Sequence, residues 1–447
     1  MKARTAPAAL VASALVTFVG SGQSTGIGRP LTLRPAAVTN PLLGIRYGRP
    51  GASLVRLDPR TLMPRGPGLS LERYTGTWSF SPDRRQLVFG SAWSPDSDGP
   101  AAIRFVDVSA LRSVRELVLG PSADIQVLDW IAPERLLTVV YSCCPAASSV
   151  SLIDTSTGDV LARHAIVGRL VAAGRAGGSL VLLLEPASFG PVSLAVARPD
   201  GTLRSTVLDR IRAGLSTTAP PRSYLQVDDA GLAVDSSGGR AYVVAANDPV
   251  AEVELQSLAP SYHTLSRPVS LLGRLRDWLE PKAQAKELMQ RSARSALWLG
   301  DGRLAVFGRN GTPYWSYGRF EARTRPSGLS VIDTKTWTSQ ALDPRADSAV
   351  VARGALLSSG WRWDSRKQQL AGNGFRVYGP NGLKRFQLLG KRAIVQIEVF
   401  GSRAFVQGAG QDLVYFAVSL KSSRVLRTIR GRQLPLVLRG AGSGYIG

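Results

Sequence analysis

The chain has 447 residues, of which 44% are hydrophobic and 19% are charged, with 46 Gly, 28 Pro, 2 Cys and 2 His. This composition is typical of a globular protein and excludes wholly disordered and fibrous classes. Two histidines leave almost no material for a histidine metal site or for a histidine general base. Neither kind of site is therefore expected, and the residue patterns imply no cofactor.

The chain is strongly basic, with 55 Lys and Arg against 32 Asp and Glu and a net charge of +23. Arginine suits phosphate and carboxylate partners, so binding of a polyanion is one interpretation. The alternative is a compositional bias, since Arg, Ala, Gly and Pro are abundant together. A nucleic-acid interface concentrates its charge on one face or run, whereas these residues are spread along the sequence. The spread favours the compositional interpretation, and nucleic acid is not an expected partner.

Residues 1–22 have the features of a secretory signal peptide. Lys2 and Arg4 precede an apolar run from Ala8 to Val19, and small residues follow it. The run is shorter than the roughly 20 residues that span a bilayer, so an uncleaved anchor is only the alternative. Residues 23–40 are rich in Gly, Pro, Ser and Thr and indicate a linker. The sequence thus predicts a secreted or periplasmic, cell-envelope protein with no other membrane span, and we expect a monomer.

The rest of the chain, residues 41–447, is built from two alternating kinds of β-hairpin. The first kind has period-two apolar alternation on either side of a turn of Asp, Gly, Ser, Thr, Asn or Pro. Its copies begin at Leu54, Ile103, Val150, Val192, Val250, Leu329, Phe375 and Val414. The second kind lies between these copies and has a more apolar second strand. Its copies begin at Trp78, Leu128, Leu170, Leu232, Ser295 and Ile397.

Two hairpins make a four-stranded unit of about 40 to 50 residues, the length of a propeller blade. The stretches VSLIDTSTGDVLARH and LSVIDTKTWTSQALD resemble YVTN-type propeller repeats, and SFSPDRRQLVFGS resembles the PD-type repeat of WD-like propellers. The resemblance covers nearly everything after Asn40. It implies an all-β fold, a single β-propeller of seven to eight four-stranded blades, and it does not specify a function, since such blades occur in binding proteins, scaffolds and enzymes.

Two segments depart from the repeat. Residues 432–440 have the pattern of the first strand of a unit, but no second strand follows them. Residues 42–48 have the pattern of a second strand, but no first strand precedes them. We therefore expect these two segments to pair with each other and close the ring. Residues 266–292 carry Leu271, Leu275 and Trp278 at helical spacing, with Met289 on a continuing stripe, and predict a helical insertion. That helix either packs on the propeller or docks a partner or a membrane surface.

Cys143 and Cys144 are the only cysteines and are adjacent, in a loop between two strands. In an exported protein they could form a strained vicinal disulfide, which could clamp the loop, hold a ligand or act as a redox-labile bond; two inert thiols are the alternative. Adjacent cysteines in an exported eight-bladed propeller also resemble pyrroloquinoline-quinone alcohol dehydrogenases. That resemblance implies a disulfide stacked on the quinone and a calcium ion opposite. The chain is much shorter than those enzymes and lacks their Trp-ended blade signature, so no calcium ligands can be assigned.

Other polar and aromatic residues have mainly structural interpretations. Asp96 and Asp98 resemble the start of a calcium loop but lack its remaining ligands. Asp58, Asp107, Asp154 and Asp333 recur at hairpin turns and are expected to cap backbone N–H groups. His164 and His263 lie on outer hairpins without a neighbouring nucleophile. The aromatic clusters could stack on sugars or pack between blades; they comprise Trp361, Arg362 and Trp363, and Tyr314, Trp315, Tyr317 and Arg319.

No G-x-S-x-G elbow, P-loop, HExxH or Cys-x-x-Cys motif is present, and the sequence offers no catalytic or metal-ligating set. It therefore favours an exported, non-enzymatic module that binds a protein, a cell-envelope polymer or a small ligand. The alternative is an exported enzyme in which a bound quinone or metal in the central channel supplies the chemistry.

Overall fold

The protein is described here by a computed structural model. It describes residues 41–447 except 49–50, 75, 92–98, 121–123, 143–146, 218–224, 236, 247, 266–288, 317–318, 353, 365–368, 410–413, 440 and 444–447. All regular structure in these residues is β-strand. None of their segments forms a helix long and apolar enough to span a bilayer.

Thirty-five strands are present in the described part of the chain, and most are four to ten residues long. They are β1 (Leu43–Arg46), β2 (Ser53–Leu57), β3 (Pro64–Ser70), β4 (Thr77–Phe80), β5 (Gln86–Gly90), β6 (Ala101–Asp107), β7 (Arg112–Gly120), β8 (Asp124–Ala132), β9 (Arg135–Ser142), β10 (Ala147–Asp154), β11 (Val160–Val167), β12 (Arg169–Ala176), β13 (Ser179–Glu185), β14 (Gly190–Ala197), β15 (Leu203–Thr217), β16 (Leu225–Asp229), β17 (Gly231–Val234), β18 (Arg240–Val244), β19 (Val250–Glu254), β20 (Pro260–His263), β21 (Met289–Gly300), β22 (Arg303–Ser316), β23 (Arg319–Pro326), β24 (Leu329–Asp333), β25 (Thr338–Asp343), β26 (Ser348–Ala352), β27 (Ala355–Asp364), β28 (Gln369–Tyr378), β29 (Lys384–Leu388), β30 (Ile394–Phe400), β31 (Arg403–Gly408), β32 (Val414–Ser419), β33 (Arg424–Arg430), β34 (Leu436–Val437) and β35 (Ala441–Ser443).

The strands form antiparallel four-stranded units, which we number from 1 to 8 along the chain. Unit 1 contains β1 to β3, together with β34 from the other end of the described chain. Unit 1 is β34–β1–β2–β3, unit 2 is β4–β7, unit 3 is β8–β11, unit 4 is β12–β15, unit 5 is β17–β20, unit 6 is β21–β22–β24–β25, unit 7 is β26–β29 and unit 8 is β30–β33. All eight predicted outer hairpins and all six predicted inner hairpins are confirmed as strand pairs.

The expected seven to eight separate blades need correction. Six units of the described chain are independent blades, namely units 1, 2, 3, 5, 7 and 8. Units 4 and 6 are merged into one ten-stranded sheet, because β15 continues past its unit to pair with β16, and β16 pairs in parallel with β21. Units 4 and 6 are not consecutive in the chain, since unit 5 lies between them. The repeat of blades in the sequence does not predict that they share a sheet.

The ring closes through strands from both ends of the described chain, as predicted. β34 pairs antiparallel with β1, with Ile45 opposite Leu436 and Gly44 opposite Val437. The next strand, β35, adds a fifth strand to unit 2 by pairing with β4. This blade, made from strands of both ends of the described chain, packs against unit 8 on one side and unit 2 on the other and so closes the ring.

The core lies between neighbouring units, and the middle strands explain the apolar runs of the sequence. In β13, Leu183 packs against unit 5, where it meets Val243. Leu182 and Leu184, on the opposite face of the same strand, pack against unit 3. A strand buried on both faces is continuously apolar rather than alternating, which accounts for the run LVLLL.

The predicted helical insertion of residues 266–292 is not borne out where it can be seen. Residues 266–288 lie outside the described residues. Met289, which the helical pattern placed on an apolar stripe, begins β21 instead and pairs with Leu225 of β16. The backbone hydrogen bonds of the parallel pair replace a helix in this segment.

Candidate functional site

The two faces of the ring differ in their connections. First strands of the units all begin on one face, which we call the start face. On the opposite face, the turns that join first to second and third to fourth strands are two to six residues long. The strand ends that flank the three longest connections, β5 to β6, β15 to β16 and β20 to β21, lie on the start face, and most residues of those connections lie outside the described residues. Binding residues are commonly carried by such connections on a rigid scaffold, so the start face is the candidate site.

The ten-stranded sheet extends beyond the start face, and we call this extension the cap sheet. It consists of the ends of the long strands and two added strands, in the order 214–217 of β15, β16, 289–293 of β21, 309–316 of β22, and β23. Its outer pair is an insertion into unit 6, because β22 leaves its partner β24 after Val306 and pairs with β23. The cap sheet therefore bridges units 4 and 6.

One side of the cap sheet is held to unit 4 by Glu185, the last residue of β13. Its Oε2 accepts a hydrogen bond of 2.9 Å from the Arg169 guanidinium, and its Oε1 accepts one of 3.0 Å from the backbone N–H of Ala230, directly after β16. Arg169 also donates to Asp229 of β16 at 2.9 Å. The side chains of Arg169, Glu185 and Asp229, with the amide that follows β16, thus join β12 and β13 of the ring to the cap sheet.

This anchor has an unusual protonation equilibrium. The Glu185 side chain is fully buried. Burial, and secondly the negative charge of Asp229, raise the pKa of Glu185 to about 7, while Arg169 and the amide of Ala230 act in the opposite direction. A carboxylate that titrates near neutrality at the junction of two sheets can couple their contact to pH.

The other side of the cap sheet is held to unit 7 by Arg309. Its guanidinium lies 3.4 Å from the centre of the Trp361 ring and pairs with the Asp347 carboxylate, to which its Nε donates at 2.9 Å. It also donates to the backbone oxygen of Trp361 at 2.8 Å. Asp347 is buried, and that burial raises the pKa of Asp347. The Arg309 guanidinium stacks on Trp361 and pairs with Asp347 at the same time. These two contacts fix the direction in which β22 leaves the ring.

Two further polar clusters stiffen the base of the cap sheet. Arg294 of β21 donates to the side-chain oxygen of Asn310 at 2.7 Å and to the backbone oxygen of Arg309 at 3.0 Å, which ties the two strands together. Between units 6 and 7, the Arg376 guanidinium donates to both carboxylate oxygens of Asp343, at 2.8 and 2.6 Å. Both side chains are buried, and such a bidentate pair holds one geometry.

Towards the opposite face, two buried acids join neighbouring units in a similar way. Asp129 of β8 pairs with Arg175 of β12 at 2.9 Å, and Glu398 of β30 lies 3.7 Å from the Arg439 guanidinium after β34. Burial raises the pKa of Asp129 to about 6 and that of Glu398 to about 7. Each arginine is about half exposed, so it bridges a buried charge and solvent.

The ligand candidates of the sequence are mostly not tested. Cys143 and Cys144 lie outside the described residues, between β9 and β10, and so do Asp96 and Asp98. Their disulfide, ligand and calcium interpretations stay predictions. Within the described chain, no group of three or more His, Cys, Asp or Glu side chains could hold a metal ion.

The turn residues are confirmed as backbone caps. Asp154 Oδ1 accepts from the N–H groups of Ser156 and Thr157, and Asp58, Asp107 and Asp333 make the same kind of contact. His164 contacts the backbone oxygen of Gly201 at 2.7 Å. His263 contacts Glu252 at 3.0 Å and stacks on Trp337 with 3.6 Å between ring centres. These contacts agree with the structural roles expected for both histidines.

Of the aromatic clusters, Trp361 is partly buried and covered on one face by the Arg309 guanidinium, which supports packing over ligand stacking, and Arg362 is exposed beside it. Tyr314, Trp315 and Arg319 lie on the hairpin of β22 and β23. The backbone of that hairpin forms the outer edge of the cap sheet, which the sequence pattern did not indicate.

Sequence reasoning missed the residues that hold the cap sheet. Glu185 is the last residue of an apolar strand, and Asp347 directly precedes another. An acidic residue at the end of an apolar strand was therefore the one sequence feature that could have indicated these anchors. Their partners Arg169 and Arg309 lie 16 and 38 positions away. Among 47 arginines, no local pattern distinguishes these two.

Comparison with known proteins supports the fold alone. No family model and no curated protein matches the chain. The solved structure of dihydro-heme d1 dehydrogenase NirN in complex with DHE is 16% identical, with a TM-score of 0.53, over 90% of this chain and 74% of that one. AztD of Citrobacter koseri is 10% identical, with a TM-score of 0.47, over 91% and 99% of the two chains. Chaetomium thermophilum Sqt1, bound to the N-terminus of ribosomal protein L10, is 12% identical, with a TM-score of 0.48, over 80% and 88%. With the strand topology, the first of these supports a β-propeller.

Proposed function

We propose that the protein is a binding module that engages a protein or small ligand through its start face, with the cap sheet as part of the contact surface. One observation carries the proposal: the described strands that extend the merged sheet beyond the ring, the cap sheet, all lie on a single face. An elaborated face on a rigid scaffold is the usual place for recognition.

The anchoring contacts support this role, because they make the cap sheet a defined surface. Glu185 and Arg309 attach it to units 4 and 7 through buried, charge-assisted hydrogen bonds. A surface that is already ordered loses less conformational entropy when it binds. The cap sheet also carries exposed Arg325 next to the partly buried pair of Arg294 and Asn310, which offers donors to an acidic or carbonyl-bearing partner.

Site-directed photocrosslinking tests the choice of face. We would place a photoreactive amino acid at Arg325 and at Arg362 on the start-face side, and at Glu134 and Ser156 in exposed turns of the opposite face. Crosslinks to a partner are expected only from the first pair, in cells that express the protein at its natural level. Equal crosslinking from Glu134 and Ser156 would contradict the proposal.

We further propose that the chain is exported after cleavage of residues 1–22, which lie outside the described residues. The positively charged start and short apolar run of that segment support it. The intact mass of protein recovered from its own host, with cell fractionation, tests this directly. A mass that includes Met1 in a cytosolic fraction would reject export.

Native mass spectrometry separates binding from the alternative of an enzyme with a resident quinone or metal. A mass lost on denaturation and matching such a group would favour the enzyme. A mass equal to that of the polypeptide before and after denaturation supports a binding module. The same spectrum reports the two-hydrogen deficit of a bond between Cys143 and Cys144.

A further inference from the structure

The basic residues are spread along the chain, but acids are scarce near its end, in the stretch that holds the outer strand of unit 7, all of unit 8 and the closing strands. From Gly379 to Gly447 the chain has eleven Lys or Arg and two acids, Glu398 and Asp412. Glu398 is buried, and Asp412 lies outside the described residues. On the outer strand of unit 8 and its turns the exposed basic residues are Lys421, Arg424, Arg427, Arg430 and Arg432, and the outer strand of unit 7 adds Lys384 and Arg385.

The outer hairpin turns of units 7 and 8 lack the capping aspartate that five other units use, whereas the turn of unit 5 is capped by Ser257, which in turn bonds to the acid Glu254. Units 1, 2, 3, 4 and 6 cap their outer hairpin turn with Asp58, Asp107, Asp154, Asp200 and Asp333. Unit 7 uses Asn381, whose Oδ1 accepts from Leu383 N–H at 3.2 Å, and unit 8 uses Ser419, whose Oγ accepts from Ser422 N–H at 3.0 Å. The capping hydrogen bond is kept while the charge is removed, so the basic side chains have no acid beside them at the turn.

Apolar side chains are exposed on the outer strand of unit 8 and in the turn that precedes the outer strand of unit 7. Leu383 is 67% exposed next to Lys384 and Arg385, and Leu426 is 43% exposed between Arg424 and Arg427. In β33 every residue from Arg424 to Thr428 is exposed, on both faces of the strand. The seven residues of this strand extend over about 20 Å. Exposed aliphatic residues flanked by cations form a surface that can make both apolar contacts and ionic contacts.

We propose that the outer strands of units 7 and 8 dock the protein onto an anionic lipid bilayer. The lysines and arginines would contact lipid phosphates, and Leu383 and Leu426 would enter the boundary between headgroups and acyl chains. Basic residues near an anionic membrane each strengthen binding, and interfacial binding grows with buried apolar area. The proposal does not depend on what the start face binds.

A bilayer fits this surface better than a soluble polyanion does. Nucleic acids and acidic polymers pair with cations and need no exposed leucine or valine. The described surface presents Leu383, Val425 and Leu426 within the basic cluster, and these side chains gain free energy only where water is excluded. The start face, which carries the cap sheet, is left accessible in this orientation.

Vesicle sedimentation with the mature protein is the test. One set of vesicles contains equal amounts of phosphatidylglycerol and phosphatidylcholine, and the other contains phosphatidylcholine alone, both at about 0.1 M salt, where exposed charges interact over about 10 Å. We expect binding to the first set and little to the second. No binding to either set would overturn the proposal.

The decisive variant restores the missing acids at the turns, Asn381→Asp with Ser419→Asp. The fold should tolerate both, because other units use aspartate in this position. Vesicle binding should fall about 30-fold, since two charges are changed near the membrane. The matched control, Ser113→Asp with Ser205→Asp, adds the same charge at exposed positions of units 2 and 4 and should change binding less than twofold. An equal fall in the control would mean that net charge alone is responsible.

A second pair, Leu383→Ser with Leu426→Ser, separates a bilayer from a soluble polyanion. We expect it to weaken vesicle binding several-fold and to leave binding to heparin unchanged. If the leucine pair binds vesicles as well as the unaltered protein does, and heparin competes fully, the surface recognises polyanions and the bilayer proposal is wrong. Circular dichroism of every variant confirms that the fold is retained.

Discussion

Arg169 and Glu185 lie directly opposite each other on β12 and β13, and their side chains are joined by a hydrogen bond of 2.9 Å. The same guanidinium donates to Asp229 at an equal distance. One arginine of the innermost strand of unit 4 therefore holds both the buried acid of the ring and an acid of the cap sheet. Any change in the charge of Glu185 acts on the contact between the two sheets.

Docking of the cap sheet should weaken as the pH rises. Burial raises the pKa of Glu185 from 4.5 to about 7, and a cap sheet that has separated would return it to the lower value. The protonated acid therefore favours the docked state, which is most stable below pH 4.5 and loses stability up to about pH 7. Between pH 6 and pH 8 the equilibrium constant for separation should increase about tenfold. Hydrogen exchange of residues 214–217 and 225–229, corrected for the intrinsic rate, measures it.

Glu185→Gln keeps the acid's shape without its charge and should flatten this pH profile. Glu398→Gln is the matched control, since Glu398 also has a raised pKa but lies at the ring closure, away from the cap sheet. In the Glu398→Gln variant, hydrogen exchange in the cap sheet should depend on pH as it does in the unaltered protein. Exchange that is independent of pH in the unaltered protein would disprove the role of Glu185.

Removal of the Arg309 side chain should loosen the outer edge of the cap sheet. Arg309→Met leaves the buried Asp347 carboxylate without the guanidinium that pairs with it and stacks on Trp361. Breaking a buried ion pair on one side costs about 3 kcal/mol or more. Urea unfolding measures the loss, and faster exchange in 309–316 and β23 locates it. Arg362→Met, at the exposed neighbour of Trp361, should have little effect; comparable losses in both variants would argue against a specific anchor.

Deletion of residues 433–447 should destabilise the ring. The deleted segment contains β34 and the buried side chains of Leu434, Val437 and Leu438, and burial of three such residues contributes about 5 kcal/mol. Deletion of 444–447 alone, after the last described strand, is the control. An unchanged melting temperature in the longer deletion would show that the ring does not need its closing strand.

Glu398 should make global stability fall as the pH rises. Burial raises the pKa of Glu398 from 4.5 to about 7, so the folded chain holds a proton that the unfolded chain releases above pH 4.5. The free energy of unfolding then decreases by about 1.4 kcal/mol per pH unit up to about pH 7. Relative to the unaltered protein, Glu398→Gln should gain about 3 kcal/mol between pH 5 and pH 8. Urea unfolding at both values checks this, with Glu134→Gln at an exposed turn as the control; a constant difference would refute it.

Most strands of the ring could be predicted because their signals are local. A turn such as Asp154 to Asp159, flanked by alternating apolar residues, specifies a hairpin without reference to the rest of the chain. The hairpin of β26 and β27 has no such marker between its strands, and it was not among the predicted hairpins.

The cap sheet could not be predicted in this way. Its central contact pairs Leu225 with Met289 in a parallel arrangement, and nothing in either sequence specifies a partner 64 positions away. The helical spacing around Leu275 and Trp278 pointed to another structure for the segment before β21. Glu185 and Asp347 were missed for a related reason: an acid is identified as buried only when its neighbours in space are known.

The pairing of β34 with β1 also sets the order of events in synthesis. Unit 1 lacks its first strand until Leu436 and Val437 have left the ribosome, so the ring stays open until all eight units have been synthesised. A chain with an open ring can still be threaded through a membrane pore. If the protein is exported as proposed, this closing strand delays completion of the fold until the residues of all the other units have been made available for translocation.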